Sequence, residues 1–161
     1  MTKQLDVLDE PFTQEILNEI VLWKVNRYAS FGSRKIEQQN EISLTQTELD
    51  VEATKDILNQ LLAIAGVKLP VASTILRFKN SNIYQIVDRR AYRVFYGHSY
   101  PSSSVLAKNI DLYLKYLADL RIAADKYDIP FKFMDRYLYQ LDKKLNKDFP
   151  INTTVKRRGK K

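Results

Sequence analysis

The sequence predicts an all-α fold, a compact bundle of about six to eight helices forming a single domain over residues 1–148. Three observations predict it. The 161 residues include only 4 Gly and 5 Pro. Apolar residues return every three or four positions along most of the chain, and no stretch alternates at the strand period. Hydrophobic residues make up 45% and charged residues 28%, the balance of a folded globular chain.

Each element has its own start and stop. Thr13 can N-cap a first helix running to about Ala29, with Ile16, Leu17, Ile20, Val21 and Trp23 at helical spacing. Residues 30–43 are polar and read as a loop or short helix. Thr45 and Glu48 have the spacing of a capping box. The helix they open carries Val51, Ile57, Leu58, Leu61, Leu62 and Ile64, and Gly66 closes it. Pro70 sits where a first helical position tolerates proline, and a helix follows to about Lys79. Asn80, Ser81 and Asn82 break it, and residues 83–87 are short and extended. Asp88 can N-cap a helix ending near Gly97. A long helix runs from about Ser104 to Tyr127, with Leu106, Ile110, Leu114, Leu117, Leu120 and Ala124 on one face. Pro130 opens a last helix to about Leu145. Residues 149–161 read as a basic, disordered tail.

Composition removes several classes of chemistry. There is no cysteine, which excludes disulfides, zinc–cysteine sites, iron–sulfur clusters and thiol catalysis. The single histidine, His98, argues against a multi-histidine metal site or a Ser-His-Asp triad. No metal site and no cofactor are expected. No apolar run is long enough to span a membrane, and the N-terminus lacks the basic-then-apolar order of a signal peptide. A soluble cytoplasmic protein with no membrane partner is the expectation, nucleoid-associated in a bacterium.

The net charge is +7, and its placement matters more than its total. Residues 1–65 hold 6 basic and 11 acidic side chains. Residues 66–97 hold 6 basic side chains, Lys68, Arg77, Lys79, Arg89, Arg90 and Arg93, against the single acid Asp88. Residues 98–155 are nearly balanced, and residues 156–161 add five more cations. A basic middle beside an acidic first third points to a polyanionic partner at the middle segment.

Within that segment, residues 61–72 read LLAIAGVKLPVA, two helices joined by a very tight link. Glycine at 66 permits a left-handed turn, Val67 plugs the gap, and Ala72 allows close helix approach. The N-terminus of the second helix is a seat for a phosphate. This pattern resembles the helix-hairpin-helix motif, which grips a nucleic-acid backbone without reading bases. Residues 84–97, YQIVDRRAYRVFYG, follow at a matching distance. Together the two blocks resemble the helix-hairpin-helix base-excision DNA glycosylase superfamily, of which the chain looks like a short, divergent member. The resemblance is specific over residues 58–97 and reaches more weakly to Trp23 and Lys24.

That resemblance implies a bundle built around a central helix-hairpin-helix, double-stranded DNA as partner, and hydrolysis of an N-glycosidic bond in base excision repair. It places Asp88 on the catalytic aspartate, which stabilises positive charge developing on the sugar or activates the nucleophile. Gly66, Val67, Lys68 and Ser73 fall on the backbone-gripping hairpin, with Arg77, Arg89 and Arg93 as further phosphate contacts. Two positions depart from the family pattern. The second hairpin glycine is Lys68, and Pro70 stands where lyase-competent members place a Schiff-base lysine. Hydrolysis without strand cleavage is therefore expected over a lyase reaction. Lys68 is the one candidate for a substitute amine, with a phosphate contact as its other role.

Plainer readings stand beside these. Asp88 as a simple helix cap explains its position without chemistry, and the arginines can form a solvated face. A non-catalytic nucleic-acid-binding module with a degenerate glycosylase fold is the alternative, and a protein–protein adaptor using the acidic first third is a third class. Trp23 reads as core, Tyr113, Tyr116, Tyr137 and Tyr139 as core and groove packing, and His98 has no assigned role.

Overall fold

The structure, a computed structural model, describes residues 11–25, 46–149 and 151. It contains six α-helices and no strand among the described residues: α1 Gln14–Val25, α2 Val51–Leu62, α3 Leu69–Lys79, α4 Arg89–Tyr96, α5 Leu106–Lys126 and α6 Met134–Leu145. A single 3-10 turn, Phe131–Phe133, precedes α6. The all-α class expected from periodicity is the class observed. The loop expected over residues 30–43, the capping residue Thr45 and the chain beyond residue 151 lie outside the described residues.

α1 begins as expected, with Thr13 Oγ1 accepting from the Ile16 N–H at 3.3 Å. Its buried side chains, Leu17, Ile20 and Val21, face α3. α2 begins later than the capping-box spacing suggests. Its cap is Asp50, whose Oδ1 accepts from the Ala53 N–H at 2.9 Å. Aspartate caps at least as well as threonine, and Asp50 lies directly against the first helical residue. α2 also ends earlier, at Leu62, and Gly66 sits in the following turn at φ +87°. Nothing lies within 4 Å of where a Cβ would stand, so Gly66 is required by its dihedral and not by crowding. Leu69 is the first residue of α3, so Pro70 occupies the second position and not the first.

α3 is the centre of the bundle. It packs against α1 and α2, and every residue from Val71 to Lys79 is buried. A helix enclosed on all sides must satisfy its polar side chains internally. Ser73 and Thr74 donate to the Pro70 carbonyl at 3.1 and 2.7 Å. Arg77 pairs through Nε with Asp135 Oδ2 at 3.1 Å.

Residues 83–87 connect α3 to α4 as buried irregular backbone, Ile83 closing a turn with Asn80, with no strand beside them among the described residues. Side chains supply what a sheet would. Tyr113 Oη donates to the Gln85 carbonyl at 2.9 Å, and Tyr116 Oη donates to the Ile86 carbonyl at 3.1 Å. The Val87 N–H donates to Ser73 Oγ at 3.2 Å. Gln85 is itself fully buried, with Nε2 donating to the Ser81 carbonyl and Oε1 accepting from the Asp135 N–H. Both tyrosines come from the inner face of α5 and have no exposed surface. Tyr137 and Tyr139, grouped with them by spacing, instead stand on the surface at 54% and 42% exposure.

Replacing Ser73 with Ala removes the acceptor for the buried Val87 N–H, an uncompensated loss expected to cost about 1–3 kcal/mol. Urea denaturation checks this. A variant as stable as the parent would show that the linker does not depend on the hydroxyl.

Candidate functional site

Asp88 stands where the linker becomes α4. Its backbone is extended, and its Oδ1 accepts from the Arg90 and Ala91 N–H groups at 2.9 and 3.0 Å. This is the N-cap expected from the sequence. The other carboxylate oxygen, Oδ2, lies 2.8 Å from Lys24 Nζ of α1. The side chains of Lys24 and Asp88 are 14% and 27% exposed, so the pair sits at the surface without being fully solvated. Burial alone would push the Asp88 carboxyl up. The Lys24 ammonium and the two cap N–H groups outweigh it and hold the group below the usual carboxylate range. Asp88 is therefore an anion at neutral pH.

The residues around this pair differ from those expected. Lys68 is exposed at the N-cap of α3 and makes no contact with Asp88; the amine that meets Asp88 belongs to Lys24. Gly66 and Arg89 are also exposed. Val67 is 4% exposed, and its N–H bonds to the Ile64 carbonyl. Ser73 has no exposed surface, and Arg77 is 4% exposed and paired with Asp135. Neither side chain is at the surface, because α3 is the core helix and not a surface face. The first turn of α3 also offers few donors to an anion. Pro70 has no N–H, and the Val71 and Ala72 N–H groups bond to the Lys68 carbonyl.

Arg90 and Arg93 of α4 converge on Asp142 of α6, which has no exposed surface. Arg90 Nη1 reaches Oδ2 at 2.7 Å, Arg93 Nε reaches Oδ1 at 2.6 Å, and Arg93 Nη2 reaches Oδ2 at 3.0 Å. Asn146 Nδ2 donates to Oδ1 at 3.0 Å. Burial pushes the Asp142 carboxyl up, but the two guanidiniums dominate and hold it low. Arg93 Nη1 also donates to the Phe149 carbonyl at 2.8 Å, which ties the first residue of the expected tail to α4. Sequence reasoning missed Asp142. Its signal is an acid at i+4 and i+8 from the buried Leu138 and Met134, where an apolar residue belongs. Lys24 carries no comparable local signal, since its role depends on α1 lying against α3.

Trp23, read as core, is 42% exposed and meets Phe78 edge-on at 5.9 Å between ring centroids. Two open concavities among the described residues lie elsewhere. One of about 280 Å³ is lined by Thr47, Leu49, Ile83, Leu117 and Arg121, and its neighbour by Asn82, Pro130 and Phe131 among others. Neither includes Asp88. No group of acidic or histidine side chains among the described residues could hold a metal ion. No described helix is long and apolar enough to cross a membrane.

Compared with protein-family models, curated proteins and solved structures, the chain matches none.

Asp88→Ala removes both the cap and the partner of Lys24, and it is expected to lower the unfolding free energy by about 1–2 kcal/mol. Asp88→Asn keeps a capping oxygen and should lose less. In denaturant titrations at pH 7, an Asp88→Asn variant as stable as the parent would show that the ion pair adds nothing, and equal losses for Asn and Ala would show that the cap adds nothing beyond the pair. Asp88 and Asp142 both titrate lower when folded than when unfolded. Their stabilisation is therefore present above the unfolded carboxylate pKa, near 4, and fades as pH falls through the lower folded values. Asp135, raised by burial, acts in the opposite sense. Melting temperature followed from pH 6 to pH 2 should fall for the parent and fall less steeply for Asp142→Asn.

Proposed function

We propose that the chain is a DNA glycosylase-like protein of base excision repair. It grips duplex DNA through the Gly66–Lys68 turn and uses Asp88 in hydrolysis of an N-glycosidic bond. Such a partner places it in the cytoplasm, on the nucleoid in a bacterium. The carrying observation is the state of Asp88: an ionised, partly exposed carboxylate at a helix N-terminus, 2.8 Å from the Lys24 ammonium and on the linker that follows the hairpin helix. A fixed anion there stabilises positive charge on the deoxyribose ring as the bond to the base breaks. Water supplies the oxygen at C1′, and the base leaves with a proton. Lys24 keeps the carboxylate ionised and orients it. With Pro70 at the lysine position of lyases, strand cleavage through a hairpin amine is not part of the proposal.

A second reading, the non-catalytic nucleic-acid-binding module, is favoured by a different observation. Both Asp88 oxygens are already engaged, and the two open concavities described above do not include it.

Single-turnover base release from duplexes carrying uracil, hypoxanthine, 8-oxoguanine or 3-methyladenine separates the two. The enzyme reading expects release that Asp88→Asn lowers by at least about 100-fold, the scale of losing one charge-stabilising group. The module reading expects no release from any duplex, with binding whose log–log salt slope is about −0.9 per phosphate contact. Release unaffected by Asp88→Asn would remove the role given to that carboxylate.

A further inference from the structure

α6 sorts its charges by face. Its two acids, Asp135 and Asp142, turn inward and are paired with arginines of α3 and α4. Lys143 and Lys144 are exposed on its last turn, and Lys147 is exposed just past its end. The outward surface at this end of α6 is therefore cationic, although residues 98–155 are nearly neutral in sequence. Asp148, exposed, lies beside Lys147 in the sequence.

One aromatic ring joins the cationic end of α6 to α4, the helix that Asp88 caps. Tyr139 is 42% exposed. Lys143 Nζ lies 4.7 Å from its ring centroid, and Arg90 Cζ lies 6.0 Å from it. Arg90 follows Arg89, which is exposed, and Arg89 follows Asp88. Tyr139 thus lies between Lys143 and Arg90, which is itself paired with Asp142, while the exposed Arg89 precedes Arg90 on α4 and the exposed Lys147 follows Lys143 just past the end of α6. Lysines and arginines spaced along a surface with an exposed ring among them suit a phosphodiester backbone.

We propose that the outer face of α6 is a docking surface for a nucleic-acid backbone, with Lys143 and Lys147 contacting phosphates and Tyr139 packing on the sugar or base between them. The inference rests on the proposed function, whose strand it extends beyond Asp88. It adds a polyanion contact on a helix the sequence did not single out, whereas Arg77, Arg90 and Arg93 of the 66–97 segment are buried or paired.

Fluorescence anisotropy with a labelled undamaged duplex, at several salt concentrations, tests it on the full chain. Lys143→Glu/Lys147→Glu is expected to weaken binding on the order of tenfold or more. The same double change should lower the salt slope by about two. Tyr139→Ala should weaken binding without changing the slope. Each variant is checked for an unchanged melting temperature. Lysine variants that bind duplex with parental affinity and slope overturn the proposal, as does loss of binding to phosphatidylserine vesicles with duplex binding intact. Base release is read separately. Its absence with duplex binding present overturns the enzymatic reading alone, and intact binding in the double variant overturns the α6 surface alone.

Discussion

The position of Asp88 depends on one constraint: buried backbone outside a helix has to be hydrogen-bonded, and residues 83–87 have no neighbouring strand among the described residues. Tyr113 and Tyr116 answer for two carbonyls, and Ser73 answers for one N–H. Because the tyrosines belong to α5 and the serine to α3, these bonds also set the distance between those two helices. The Tyr113 and Tyr116 hydroxyls are pushed well above their ordinary pKa by burial, so they remain neutral donors. The linker ends at Asp88 with little freedom, and the carboxylate is delivered to Lys24 as a consequence.

A second organising element is the contact between α4 and α6. α4 is only eight residues long, too short to be stable by itself. Three devices hold it: the Asp88 cap, Gly97 at φ +74° closing its end, and the two arginines locked on Asp142. A buried carboxylate is costly unless fully compensated. Asp142 receives four hydrogen bonds from Arg90, Arg93 and Asn146, which offset that cost and fix the relation of the two helices.

The same pairing rewrites the charge map. Along the chain, residues 66–97 look like a dense cationic segment. In three dimensions Arg77 faces Asp135, Arg90 and Arg93 face Asp142, and Lys79 is buried with its pKa lowered by desolvation. Lys68 and Arg89 remain exposed. The acids that do this come from α6, over 40 residues further along, so charge counting in a window could not anticipate them. While α6 turns its acids inward, it shows the exposed Lys143, Lys144 and, just past its end, Lys147 outside.

Much of the fold was legible because local chemistry is read locally. The caps at Thr13 and Asp88, the left-handed Gly66 and the helix end at Gly97 are each decided within a few residues, whereas the apolar spacing located α2 and α5 but also put Val51 and Leu106, which are exposed, on their inner faces. The start of α2 was misplaced because two capping signals compete there, and Asp50 is nearer the apolar run. For the candidate site, the sequence by itself determined that Asp88 caps a helix after the linker that follows α3. Only the tertiary structure decided that Lys24 is its partner, that Ser73 and Arg77 belong to the core, and that Asp142 gathers Arg90 and Arg93. Those outcomes depend on which helices lie side by side, and a charge is neutralised by what is near it in space, whatever its neighbours along the chain.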